Sequence, residues 1–421
     1  MAFRNMARKV VSNDYVFTIL TKVFALIIGL VASAFSNRYL GPELKGQLAG
    51  INATLTIVAI TANFGLYQPY PYYKRQGLED ALDKFLRIFL LQFVLYTVVG
   101  VVLAQLFHSF ALTAVCLIAP IQVLANQLSF TITVEDVKYK NVIFFTARII
   151  NTAITILAFF TMRPSLLVAL GLIVVGDLIT VVMALLRLRR CPNPLRADLR
   201  FAKKIIPFGF ITMLTTLLLS LNYRLDVLMM GWFGVVDAQI GYYTLGVSLS
   251  EYGWLISDAF REVLFSRTAK DDAVREITMS LKVNLYLTIL VIVGIILLGK
   301  PAILLIGGSK YLPAYEVTVI LLFGVLSMSY FKIIGTLLLA KGKKGTYLGM
   351  LTGSVVVNVI ANCVAIPAMG KEGAALASVL SYTVAGALFL IYFMRTYSVR
   401  AADVFLLRGS EVRAIIRRIK R

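Results

Sequence analysis

The sequence predicts an all-α membrane protein of about twelve transmembrane helices in two pseudo-symmetric six-helix halves, and three observations carry that prediction. The first is composition. Hydrophobic residues make up 59% of the 421 and charged residues only 15%, with a mean hydropathy of +0.84. A soluble globule runs at roughly 45–50% apolar and about 25% charged residues, so this chain lacks the charge to cover a surface facing water. The second is patterning. Twelve apolar stretches, each of about 17–25 residues, are long enough to cross ~30 Å of hydrocarbon as helices, and none shows the ~10-residue alternation of a membrane barrel. The third is where the cations fall between those stretches.

The stretches run over 15–36, 47–66, 86–107, 111–131, 142–160, 166–186, 205–231, 240–260, 279–299, 314–339, 346–366 and 374–394. With the N-terminus in the cytoplasm, the inward regions hold 32 of the 42 Lys and Arg, and the outward loops hold 6: Arg38, Lys45, Arg163, Lys300, Lys310 and Lys371. Cytoplasmic loops are enriched in cations, so this imbalance predicts an even number of crossings with both termini cytoplasmic. It also accounts for the formal net charge of +21, which read alone suggests a nucleic-acid partner. No nucleic-acid partner is expected. Arg4, Arg8 and Lys9 before the first stretch, with Ala32-Ser33-Ala34 near its end, imitate a cleavable signal. The length of that stretch and the Lys22 inside it predict an uncleaved first helix.

The longest basic segment between helices contains Pro192 and Pro194, with Pro207 just beyond it, and divides the stretches six and six. The expected organisation is an N-terminal half over 1–190, a basic cytoplasmic linker over 191–204, a C-terminal half over 205–394 and a basic amphipathic tail over 395–421. A weak echo joins the halves. Leu40-Gly41-Pro42 with Gly46 to Gly50 parallels Phe233-Gly234 with Gly241 to Gly246, and Asn37-Arg38 before the first matches Asn222 and Arg224 before the second. Paired six-helix repeats are a transporter layout with the binding site between the repeats.

The run Asn37-Arg38-Tyr39-Leu40-Gly41-Pro42-Glu43-Leu44-Lys45-Gly46-Gln47 resembles the arginine–Leu-Gly-Pro-Glu–Gly signature that follows the first helix of polysaccharide (O-antigen type) flippases. Asn222-Tyr223-Arg224-Leu225-Asp226, followed by Gly241-Tyr242-Tyr243, is similar to the segment that opens their second half. These flippases belong to the multidrug/oligosaccharidyl-lipid/polysaccharide exporter superfamily. This chain departs from the pattern at Lys45-Gly46-Gln47, where an aromatic-Gly-Leu run is commoner. Peptidoglycan-lipid flippases of the superfamily usually have fourteen helices, so twelve favours the polysaccharide branch.

Ionisable residues at bilayer depth are expensive and mark sites where water or a partner is present. In the first helix Thr18, Lys22, Ala25, Gly29, Ser33 and Ser36 recur at spacings of three and four, which makes one small, polar face carrying a cation. Arg148 is followed by Asn151 and Thr152 on its own helical face, and Lys332 lies between Ser329 and Thr336. For Lys22, Arg148 and Lys332 the alternative to lining a cavity is snorkelling to the inner surface. Arg224 reads as a cation at the outer mouth of a cleft or as half of a boundary ion pair with Asp226. Arg38 completes the cationic set. Asp177 and Glu251 sit near the middle of the sixth and eighth stretches and are too short to snorkel. With Asp226 they are the candidates for coupling transport to an ion, against the alternatives of a counter-ion or a structural hydrogen bond.

Asn63, Asn358 and Asn362 read as helix-joining amides or as partners for sugar hydroxyls. Tyr67, Tyr70, Tyr72 and Tyr73 at the inner mouth read as an interfacial belt or as aromatic faces for sugars. The tail, in which Val404, Phe405, Leu406, Ile415, Ile416 and Ile419 alternate with cations, reads as a surface helix on anionic lipid. Cys116, Cys191 and Cys363 lie too far apart for a motif, and His108 is the lone histidine. No metal site, cofactor or catalytic group is expected.

The resemblance implies a flippase that carries a polyprenyl-diphosphate-linked oligosaccharide to the outer leaflet of a bacterial inner membrane by alternating access. It also implies contacts with a polysaccharide polymerase and glycosyltransferases. The charges agree with that substrate, since a diphosphate needs Lys or Arg in a wet cleft. A multidrug antiporter, which exports cations, fits Lys22 and Arg148 less well. A membrane polymerase or lipid-sugar transferase lacks room in outward loops as short as these.

Overall fold

The computed structural model describes residues 14–267 and 273–406, and every regular element among them is helical. The chain forms two compact units, Met1–Ser220 and Leu221–Arg421. Among the described residues nine helices are by themselves long and apolar enough to span a bilayer. The kinked first helix supplies two more crossings and a broken helix pair the twelfth, so the twelve expected stretches are all present among the described residues.

In the first unit, α1 (Asp14–Ala62) runs through the region expected to be the first outer loop. The loop reduces to one kink at Gly41, with φ 68° and ψ 175°. Open space surrounds the position where a Cβ would sit, so the left-handed φ, not crowding, calls for glycine. Pro42 then opens the second arm, where its missing N–H costs nothing. In the echo of the second unit Gly234 also takes a left-handed φ, 69°, and turns the chain between α7 (Leu199–Trp232) and α8 (Asp237–Glu251).

After Ala62 the backbone unwinds through a chain of turns into the short α2 (Tyr70–Arg75). Gly65 in these turns faces Gly209 of α7, and a Cβ on either would lie 2.1–2.3 Å from the other's carbonyl oxygen. The two glycines let backbone meet backbone. Helices α3 (Ala81–Leu106), α4 (Phe110–Glu135), α5 (Val137–Thr161) and α6 (Leu166–Leu188) complete the unit. Two apolar clusters hold it. One gathers Tyr70, Phe85, Phe89, Leu128, Ile132 and Ile205, and the other Tyr39, Leu48, Leu55, Ile118 and Leu170. Between membrane helices there is no hydrophobic drive, so close packing and interhelical hydrogen bonds do this work. Accordingly Gly100 brings α3 against the Cys116 carbonyl of α4, and Gln127 donates to both Asn63 and Gln92. Val98, Val102 and Leu106 of α3 stay exposed, as a lipid face requires.

Cations flanking the membrane helices of this unit pair with acids. Asp136 caps α5 through the Tyr139 N–H at 3.0 Å and accepts two bonds from Arg187. The backbone N–H and then the guanidinium hold its carboxyl below the usual range. Arg190 pairs with Asp83 at 3.2 Å and Lys74 with Glu135 at 2.7 Å.

In the second unit, α8 ends at Glu251, a 3₁₀ turn covers Tyr252–Trp254, and α9 (Leu255–Arg267) follows. The eighth stretch, expected to be continuous, is broken there. Gly253 leaves room for the Val325 side chain, and Trp254 is buried at the break. Helices α10 (Ala273–Ile306), α11 (Ala314–Ala340), α12 (Lys344–Met369) and α13 (Lys371–Tyr397) follow. The last two, like α11, bring backbones together at small residues: Gly386 meets the Ser327 carbonyl and Gly373 the Ala365 carbonyl. The short α14 (Ala401–Phe405) begins the tail. Its Val404 is buried, and the Phe405 carbonyl accepts from Tyr286 at 2.9 Å, so the start of the tail docks on the protein. Residues 407–421 of the expected amphipathic helix lie outside the described residues.

Candidate functional site

In the first unit the polar face of the first arm meets a cation from another helix. A Cβ on Gly29 would lie 2.1 Å from Nη2 of Arg148 and 3.0 Å from its Cζ, so the guanidinium rests directly on that glycine. Gly29 and Ser33 belong to the polar stripe of α1 that also contains Lys22. The Lys22 side chain lies outside the described residues. Arg148 itself is exposed. One turn on, the Asn151 amide packs where a Cβ on Gly176 of α6 would stand at 2.8 Å, and Asp177 follows Gly176 in sequence. Oδ1 of Asn151 and Oδ2 of Asp177 are buried with no hydrogen-bond partner among the described residues. An unsatisfied buried oxygen costs about 1–3 kcal/mol, so this α1–α5–α6 surface is poised for a donor or for water. Arg38 stands exposed beside the Gly41 kink, while its neighbour Asn37 is buried and donates to Ser33 at 3.2 Å.

In the second unit the break between α8 and α9 gathers charge. Lys332 of α11, its side chain 9% exposed, donates to both oxygens of Asp258 at 2.9 and 3.0 Å. Its ammonium also lies 4.6 Å from the centre of the Trp254 ring, which packs between Tyr223 and Tyr382. Arg261 approaches the same carboxylate at 3.7 Å. Glu251 is exposed at the end of α8, within Coulombic range of Arg224 and Lys332. Lys332 is therefore neither a snorkelling cation nor a free one; it is fixed in a bidentate ion pair. The partner lies 74 residues away, and no local spacing announces it.

Asp226 is wholly buried. Its carboxylate accepts from Tyr243 at 2.7 Å, Asn362 at 2.6 Å, Asn358 at 3.1 Å and Ser378. Arg224 is not among these donors and is exposed, so the expected boundary pair does not form. The partners of the carboxyl group, from α8, α12 and α13, are all neutral groups. Beside it, Asn222 donates to Ser354 and Ser381. The Oδ1 atoms of Asn222 and Asn362 are buried without hydrogen-bond partners among the described residues. A carboxylate and two spare amide oxygens in a dry interior are a set of hard oxygen acceptors. Asn358 and Asn362 were legible as one helical face; that Asp226 meets them was not. Tyr243 is marked in sequence only as part of the Gly241-Tyr242-Tyr243 run, and Ser378 and Ser381 carry no signal of their own.

Residues 35–316, more than half of the chain, match the family model of polysaccharide biosynthesis proteins. No curated protein matches the sequence. Among solved structures, an inward-facing multidrug resistance MATE family transporter of the MOP superfamily matches with a TM-score of 0.69 at 13% identity, over 89% of this chain and 95% of that one. The lipid II flippase MurJ in an inward closed conformation matches with a TM-score of 0.68 at 16% identity, over 93% of this chain and 89% of its own. A Vibrio cholerae MATE transporter matches at 0.58 and 12% identity, covering 91% and 95%. At these identities the structures establish the fold alone. The chain belongs to the polysaccharide biosynthesis protein family, as a multi-pass membrane protein with the fold shared by MATE transporters and MurJ.

Proposed function

We propose that this protein is a flippase that moves a polyprenyl-diphosphate-linked oligosaccharide from the inner to the outer leaflet of a bacterial inner membrane. The observation that carries the reading is the Arg148 guanidinium lying on Gly29 of the polar face of α1. A diphosphate is bound by charge-assisted hydrogen bonds, and a planar guanidinium supplies two at once. Lys22 on the same stripe, with Arg38 near its outer end, would extend the cationic track along α1, and Arg224 would serve the second unit. The lipid tail stays in the bilayer while the sugar crosses by alternating access.

Coupling to an ion is assigned first to Asp226. Its four described partners are neutral, so a proton or a sodium ion can be its counter-charge, and the oxygens of Asn222 and Asn362, unpartnered among the described residues, suit either one. Glu251 and Asp177 remain secondary candidates. The termini are placed in the cytoplasm, and the flippase would hand its cargo to a polysaccharide polymerase after glycosyltransferases complete it. Deletion of the gene, followed by assay of lipid-linked repeat units in each leaflet, tests the function; accumulation confined to the inner leaflet is expected, and an unchanged distribution refutes it. Cysteines at positions 45, 196 and 343 test the orientation. Position 45 should label from outside and the other two from inside; the reverse pattern removes the basis for the direction of transport.

A further inference from the structure

We infer that a cavity in the first unit binds an uncharged sugar ring of the transported oligosaccharide, an inference that rests on the flippase reading above. The cavity holds about 340 Å³ and is walled by the end of α1, the turns after it, α4 and α7. Small-molecule sites run from about 300 to 1,000 Å³, so this one suits a mono- or disaccharide and is too small for a long oligosaccharide.

Its chemistry is neutral. None of its lining residues is charged, whereas a diphosphate would require Lys or Arg. Asn126, Ser129, Phe130 and Thr133 line it at spacings of three and four, which is one face of α4. The Asn126 amide and the Ser129 hydroxyl make no hydrogen bond to another described side chain or backbone group. An amide left unpaired toward hydrocarbon would be costly, so Asn126 belongs to a wet or occupied cavity. The Thr133 hydroxyl donates to the Ser129 carbonyl at 2.7 Å, which leaves its oxygen free to accept. Asn63 is held by Gln127 at its Oδ1, which leaves its NH₂ group to donate. Gln127 is anchored in turn by Gln92, and Gln92 by the Ala62 carbonyl, so the donor is rigidly placed. The wall thus offers both donors and acceptors, as sugar hydroxyls, which do both, require. Tyr67 and Phe130, with ring centres 4.8 Å apart and tilted by 55°, supply an aromatic wall for the C–H face of that ring. The cavity and Arg148 divide the substrate between them, one taking sugar and the other phosphate.

Saturation-transfer NMR on the purified full-length protein tests this, with methyl glucoside, methyl galactoside, methyl N-acetylglucosaminide and glucuronate as probes. At least one neutral glycoside should bind, and glucuronate should bind at least tenfold more weakly. Asn126→Leu and Ser129→Ala should each weaken the neutral glycoside roughly five- to tenfold, the value of one neutral hydrogen bond. Asn126→Gln, which keeps an amide, should retain part of the affinity, and detergent melting temperatures confirm that each variant is folded. The inference falls if no neutral glycoside binds, if glucuronate binds equally, if Asn126→Leu and Ser129→Ala bind like wild type, or if a short isoprenoid alcohol displaces the glycoside. Failure of the flippase reading is separate, because it shows as an unchanged leaflet distribution in the deletion strain whatever the glycosides do.

Discussion

Gly29 offers the sharpest test of the cationic face, because the structure makes its substitution a displacement of Arg148. A methyl group there would stand 2.1 Å from the guanidinium Nη2, against about 3.4 Å for ordinary contact, so the guanidinium must retreat by more than 1 Å. The obstacle is the far end of an exposed, flexible side chain, so the fold itself need not shift. Alanine also gains up to about 1 kcal/mol of helix propensity over glycine, and Gly29→Ala should therefore be present in the membrane at wild-type abundance or above. Transport should fall. Displacing one charge-assisted hydrogen bond costs roughly 1.5–3 kcal/mol, or about ten- to a hundredfold in binding. Gly29→Leu should be worse than alanine. The decisive measurement is a cycle with Arg148→Ala, scored as surface polysaccharide in the deletion strain with membrane abundance measured in parallel. If Gly29 acts only by positioning Arg148, Gly29→Ala adds nothing once the guanidinium is gone. Full activity of Gly29→Leu at normal abundance, or additive losses in the cycle, would refute the placement of phosphate at this face.

Three further outcomes follow from the same geometry. Lys22→Gln should lose most transport, Lys22→Arg should keep part of it and Lys22→Glu should be worst, whereas a merely snorkelling lysine would tolerate leucine; surface polysaccharide with full function of Lys22→Leu rejects the role. Lys332→Met leaves Asp258 half-exposed and paired only with Arg261 at 3.7 Å, so thermal unfolding in detergent should show about 1–3 kcal/mol lost, less than for a fully buried pair. Adding Asp258→Asn should restore most of that loss, and no recovery would mean that the pair is not what holds the α9–α11 contact. Asp226→Asn keeps the shape and most hydrogen bonds, each worth about 0.6 kcal/mol between membrane helices, so abundance should hold while the dependence of transport on proton or sodium gradients disappears; an unchanged dependence removes Asp226 from coupling.

How much of this was legible in sequence depended on the range of the physics. A membrane crossing is a local property of some twenty residues, because each backbone group must find its partner within its own helix while the side chains face ~30 Å of hydrocarbon. All twelve crossings were therefore readable. The first outer loop differs from the sequence pattern for a related reason: polar residues from Asn37 to Gly46 look like a loop, yet one left-handed glycine followed by a proline turns the chain without ending the helix. The break at Tyr252–Trp254 left no such mark, since Gly253 is there to admit Val325 from another helix, and that need exists only in the packed unit.

The site residues divide along the same line. Lys22, Gly29 and Ser33 share a face at helical spacing, so the polar stripe was visible, and Arg148 stood out by its charge at depth. That the two belong together required α5 to be packed on α1. Asp226 shows the converse. Its charge and its neighbour Arg224 suggested an ion pair, because two residues close in sequence are the pairing a reader can see. The folded chain instead turns Arg224 outward and surrounds the carboxylate with donors 17, 132, 136 and 152 residues away. Neutral donors from three other helices can satisfy a buried carboxylate's lone pairs without cancelling its charge. An arginine at hydrogen-bonding distance would cancel it permanently. Under the coupling proposal Asp226 must take up and release a cation during a transport cycle, which needs the first arrangement, and excluding Arg224 from its shell is the structural condition for it.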